Sequence, residues 1–216
     1  NKGIQSKSEL LRVFGRAATP RNAVDRARDV SFALDELTKM NRSGTHQNRL
    51  DLLRVGMAGH SFGANTTLMV SGLNSARRAR SSLLDSRIKA AIPMSSPAPR
   101  EQADLKSVYS GIKIPMLHMT GTKDTSPIGD DSAQDRLLPY QNITAPHQYL
   151  LVFQGGDHMV FSGRRQSEDP KQAAQDKAFQ ALIMQSSTAF WNAYLKNDAK
   201  AQNWLRNDFK NALGKN

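Results

Sequence analysis

Four short apolar runs recur along the chain, Leu52 to Ala58, Ile88 to Met94, Ile112 to Thr120 and Tyr149 to Phe153, with little polar alternation inside them. A strand covered on both faces reads this way, because neither side of its pleat meets water. The stretches between them carry helical spacing instead. Thr19-Pro20 supplies an N-cap and a first-turn proline, and Ala27, Val30, Leu34 and Leu37 then recur at intervals of three and four. This predicts a helix from about Asn22 to Met40, ending in Asn41-Arg42-Ser43-Gly44. A second helix is expected from the turn after Ala58 through Ser71, and a long amphipathic one from about Gln172 to Leu195, with Phe179, Leu182, Ile183, Phe190 and Tyr194 on one side.

Strands separated by helices predict the α/β class: a doubly wound, mostly parallel sheet with helices on both faces. The 216 residues fit one such domain, 1–216, with an irregular segment at 1–21 in which Leu10 to Phe14 is at most one short strand.

Bulk properties narrow the chemistry. No run of about 18 apolar residues is present, so no membrane-spanning helix is expected, and the charged opening Asn1 to Glu9 does not read as a signal peptide. The compartment stays open between secreted or periplasmic and cytoplasmic. With no cysteine, disulfides, thiolate metal sites and a cysteine nucleophile are excluded together. A formal charge of +11 favours polyanions, which makes nucleic-acid binding a rival reading. Its best local support is Arg77, Arg78 and Arg80, but no aromatic residue is interleaved with them for stacking on bases, so a solvated basic face is the better reading.

Open parallel sheets hold ligands beyond the carboxyl ends of their strands. After the first predicted strand stands Gly59-His60-Ser61-Phe62-Gly63, a G-x-S-x-G elbow in which side chains flanking the serine would crowd a sharp strand-to-helix turn. Ser61 is the candidate nucleophile. Its place at a helix N-terminus makes the Phe62 N–H a candidate oxyanion donor. A serine hydroxyl needs a base, which in turn needs an orienting carboxylate. Of five histidines, His46, His118 and His147 sit where packing or surface roles suffice, and the strained turn should point His60 elsewhere, into packing. His158, in Gly155-Gly156-Asp157-His158 after the last strand, is the candidate base. Asp124, four residues beyond the preceding strand, is the candidate acid, ahead of Asp130, Asp131 and Asp135; Asp157 is expected to brace the loop.

Together Arg28-Asp29-Val30-Ser31-Phe32, the elbow, the Pro115 to Asp124 segment and Gly156-Asp157-His158 resemble bacterial α/β-hydrolases, most nearly predicted dienelactone hydrolases related to platelet-activating-factor acetylhydrolase. The resemblance spans roughly residues 22–194. It implies the α/β-hydrolase fold and hydrolysis of a small-molecule ester through an acyl-serine intermediate, without metal or organic cofactor. It implies a serine nucleophile, which Ser61 and the absence of cysteine match.

One departure stands out. Members of this fold begin with several strands before the helix at Asn22, and a loop after an early strand gives the second oxyanion N–H; nothing in Asn1 to Ala18 looks like that loop. The expectation is a portion of the fold lacking its N-terminal strands, completed by a preceding segment or a partner chain. Without them the Leu52 to Ala58 strand would present an open, apolar edge. Finally, 125–148 has no clear periodicity and is long for a loop without function, which leaves two readings open, a lid or substrate wall over Ser61 and an inert surface excursion.

Overall fold

The computed structural model describes residues 6–44, 47–74, 82–99, 104–162 and 169–209. Among them four strands form one all-parallel sheet in the order β1 (Val55–His60), β2 (Ile88–Met94), β3 (Met116–Lys123) and β4 (Gln148–Asp157). Helix α1 (Lys7–Ala17) and helix α2 (Pro20–Arg42) precede the sheet, and α3 (Phe62–Val70) and α4 (Leu105–Tyr109) connect the first three strands. Helix α5 (Leu138–Asn142) comes before β4, and α6 (Pro170–Leu195) and α7 (Ala199–Asn203) follow it.

Helices cover both faces. On one, α6 presents Phe179, Phe190 and Ala193 to Ala90, Ile92, Leu117, Met119, Leu151 and Phe153. On the other, Ala23, Ala27 and Leu34 of α2 pack with Met69, Val70 and Ile88, and Leu68 meets Ala91, Tyr109, Ile112 and Met116. The α/β class with helices on both faces is thus the architecture of the chain.

Helix α2 starts as its sequence predicts, with the Thr19 hydroxyl accepting from Asn22 N–H at 3.1 Å and Pro20 in the first turn. Residues 10–14 are a correction: they lie inside helix α1, not in a strand, so the segment 1–21 is not irregular throughout. The reason is a cap. Ser6 accepts from Glu9 N–H at 3.1 Å, the S-x-x-E spacing that opens helices.

Strand limits also move. Residues 52–54 form a turn before β1, and β3 starts at Met116, four residues later than expected. Strand β4 runs on through Gly155-Gly156 instead of closing there. A side chain at Gly121 would fall on the Gly156 backbone, so two glycines let β3 and β4 stay paired across a register shift as far as Lys123 and Asp157. This carries β4 directly to His158. Strand β1 is the edge of the sheet among the described residues, with Gly56 and Ala58 exposed and Val55 and Met57 half-buried.

Candidate active site

The sequence predicts an elbow at Gly59 to Gly63, and the backbone bends there. Ser61 sits between β1 and α3 at φ 57° and ψ −117°, a strained conformation for a residue with a side chain. The turn is held from two sides: Ser61 N–H donates to Met94 O at the end of β2 (2.9 Å), and Ser61 O accepts from Ala64 N–H (2.9 Å) and Asn65 N–H (3.2 Å). Gly59 is required, because a Cβ there would fall on the Gly63 carbonyl. Gly63 is different. A Cβ on it would meet nothing within 4 Å among the described residues, so the steric reason expected of both glycines applies only to the first.

Ser61, His158 and Asp124, which lie on β1–α3, after β4 and after β3, come together. His158 Nε2 lies 2.9 Å from Ser61 Oγ, and His158 Nδ1 lies 2.7 Å from Asp124 Oδ1. His158 is buried and Asp124 is fully buried. The second carboxylate oxygen of Asp124 accepts from the Thr120 hydroxyl at 2.8 Å. Burial alone would raise the Asp124 carboxyl, but the hydrogen bonds from His158 and Thr120 and the Arg136 cation outweigh it and hold the carboxyl below its ordinary range. Phe62, whose N–H is the candidate oxyanion donor, is the first residue of α3, where backbone donors have no intrahelical partner.

Arg136 was not legible in the sequence. Its side chain is buried, with Nε 3.6 Å from Asp124 Oδ1 and 3.3 Å from Asp124 O, and Nη1 3.3 Å from Ser95 O and 3.5 Å from Asp131 Oδ2. No spacing marks it. It sits in a single 3-10 turn, Asp135–Leu137, between Asp124 and β4, and only the fold brings it beside the carboxylate.

The competing residues have other partners. Asp131 accepts from Ala98 N–H at 2.9 Å, Asp135 accepts from Ser132 N–H and its hydroxyl, both at 2.7 Å, and Asp157 accepts from Met159 N–H at 3.0 Å, bracing the turn that carries His158. His118 is buried within β3 against Gln148, and the His147 ring lies 5.4 Å from that of Tyr194. His60 is packed, but against His158 itself, with ring centroids 4.7 Å apart. His46 and the arginines 77, 78 and 80 lie outside the described residues.

Beside Ser61 opens a cleft of about 920 Å³. Its walls come from the α1–α2 corner, from Phe62, Met69 and Leu73, from Pro97 to Pro99 and Val108, and from residues 126–136. Most of the lining is apolar, with Asp104, Asp130, Asp131 and Asp135 as its acidic members. Among the described residues no cluster of His, Asp or Glu is placed to hold a metal ion, and no helix is long and apolar enough to cross a membrane.

No match was found among curated proteins. The model of the family described as Serine hydrolase (FSH1) does match, over residues 34–169, a span that carries the elbow, Asp124 and His158, and the chain belongs to that serine hydrolase family.

Proposed function

We propose that Ser61, His158 and Asp124 form a catalytic triad that hydrolyses carboxylic esters through an acyl-serine intermediate. The observation that carries this reading is the unbroken relay from the Ser61 hydroxyl through both nitrogens of His158 to the buried Asp124 carboxylate. His158 Nε2 takes the Ser61 proton as the hydroxyl oxygen attacks the ester carbonyl carbon. Asp124, ionised, accepts from Nδ1–H and so fixes the tautomer that leaves Nε2 free, then offsets the charge of the imidazolium.

The negative charge on the tetrahedral carbonyl oxygen develops at the N-terminus of α3. There the Phe62 N–H donates to it and the helix dipole favours it. Collapse expels the alcohol, which takes the proton from His158. Water, deprotonated by the same imidazole, then releases the acid and restores Ser61. If the Phe62 donor acts alone, the absent second donor costs about 10²–10³ in rate.

A small-molecule ester suits the cleft, whose volume lies in the range of ordinary ligand sites. Phe62, Met69 and Leu73 offer an apolar seat for the acyl group, and residues 126–131 act as a substrate wall. The narrower likeness to dienelactone hydrolases and acetylhydrolase-like esterases is part of this proposal.

The test is turnover of p-nitrophenyl esters of graded acyl length beside matched anilides. Ester hydrolysis that disappears in Ser61→Ala supports the reading. Anilide cleavage at comparable rates would make the protein a peptidase of the same fold, and no turnover of either class would make it a binding relative.

A further inference from the structure

We infer that Arg136 is a positioning residue: it holds Asp124 in place for His158 and mounts the wall of the cleft on the same support. The inference rests on the roles proposed for Ser61, His158 and Asp124. The Arg136 side chain is 1% exposed, beside a carboxylate that is 0% exposed. Its Nε donates to the Asp124 carbonyl at 3.3 Å and stands 3.6 Å from Asp124 Oδ1, so one group meets both the main chain and the carboxylate of the acid. Its Nη1 donates to the carbonyl of Ser95 at 3.3 Å. Ser95 follows β2 and Asp124 follows β3, so the fork joins the ends of two neighbouring strands.

The same guanidinium reaches the cleft. Nη1 lies 3.5 Å from Asp131 Oδ2. Asp131 in turn accepts from Ala98 N–H through Oδ1 and from Ser126 N–H through its carbonyl, both at 2.9 Å. Ala98, Ser126, Asp131 and Arg136 all line the cleft beside Ser61. Two wall segments and the acid therefore converge on one cation.

Filling space does not call for an arginine here. Taking a guanidinium out of water is costly, and an apolar side chain would occupy the volume without that cost. What an apolar side chain lacks is the fork. Among the described residues every hydrogen bond of the guanidinium lies on its Nε–Nη1 edge, Nη2 having no partner, and that edge meets Asp124 and Ser95. A displaced Asp124 would swing the imidazole away from the Ser61 hydroxyl, which slows chemistry more than it weakens binding.

The experiment measures kcat and KM of the full chain on p-nitrophenyl butyrate from pH 5 to 9, for native protein, Arg136→Gln, Arg136→Lys and Asp131→Asn. Gln removes the charge and the fork, so kcat should fall about 10- to 100-fold with KM within about threefold. Lys keeps the charge without the two-point fork and should recover at least about fivefold of that loss. The acidic limb belongs to the coupled Asp124–His158 pair, around which stand Arg136, Asp131, Asp135, Asp157 and, with its ring 4.7 Å from that of His158, His60. Without the cation the pair takes up a proton more readily. The limb should move up by about half a pH unit or more in Gln, stay near native in Lys, and move down in Asp131→Asn, which removes an anion instead.

Native kcat in Gln, a limb that stays put there, or a Lys variant no better than Gln overturns the inference. An Arg136→Gln chain that does not fold passes the decision to Asp131→Asn: a limb moved down supports the inference, and an unmoved one overturns it. Ser61→Ala run alongside separates the levels. If it retains native activity, the triad reading falls; if it is inactive while Arg136→Gln behaves as native, only the role of Arg136 falls.

Discussion

A serine held at φ 57° is a local strain of about 1–3 kcal/mol, tolerated because the bonds to Met94 O, Ala64 and Asn65 over-determine the turn. That strain exposes the hydroxyl to His158. Asp124→Asn tests the relay at this scale. An amide in place of the carboxylate turns the imidazole toward the wrong tautomer, so kcat should fall about 10⁴-fold while melting changes little. A loss under about tenfold would mean that the carboxylate does not orient the base. Much of this was readable in advance. Ser61, Asp124 and His158 each follow a predicted strand, and the chain order of the three matched a known motif. Arg136 and Thr120 were not readable, because neither stands in a pattern and each reaches the carboxylate, one by its charge and one by a hydrogen bond, only in the folded chain. The expectation that His60 points elsewhere identified packing but not its partner, since sequence gives no side-chain direction at a turn.

At the scale of elements, Arg87 clamps α2 to the start of β2. It donates through Nε to Asp85 Oδ1 at 2.8 Å and through Nη2 to Asp85 Oδ2 at 2.5 Å, reaches Asp35 at 2.7 Å and meets Ser31 O at 3.1 Å. The Arg87 hydrogen bonds hold the Asp85 carboxyl at about 2, below the ordinary 3.8. A depressed carboxyl stabilises the fold at all pH values above its unfolded pKa, and that contribution is lost as pH falls through 2. Asp85→Asn should therefore cost about 1–2 kcal/mol at pH 7 in urea denaturation, and progressively less toward pH 2. An equal deficit at both ends would argue that the clamp acts through packing alone.

His118 titrates higher. Burial in β3, offset in part by Gln148, brings it to about 4 from 6.5, so its contribution is complete above pH 6.5 and lost as pH falls through 4. Native stability should decline over that window by up to about 3 kcal/mol, and His118→Gln should flatten the decline. A variant that loses as much as the native chain would contradict this. Element existence followed from periodicity, whereas limits did not: the Gly121–Gly156 approach that extends β4 depends on a strand pairing no local pattern records. Helix α1 carries a readable signal in the Ser6 to Glu9 spacing, although residues 10–14 by themselves suggest a short strand.

Across the whole molecule, a charge of +11 surrounds a mostly apolar cleft whose charged lining is chiefly acidic. His158 and Asp124 of the proposed relay are buried, so the long-range field should matter little for an uncharged substrate. For a neutral ester, kcat/KM should change less than about twofold between roughly 50 and 500 mM salt. A steep fall with salt would instead mark the basic surface as the working part of the protein. The central claim is that the Ser61 hydroxyl is activated by an imidazole held on a buried carboxylate. Its most direct measurement is peptide mass spectrometry after treatment with a fluorophosphonate. The account predicts one covalent adduct, on the elbow peptide at Ser61, lost in Ser61→Ala and much slower to form in Asp124→Asn; no adduct, or an adduct on another serine, would contradict it.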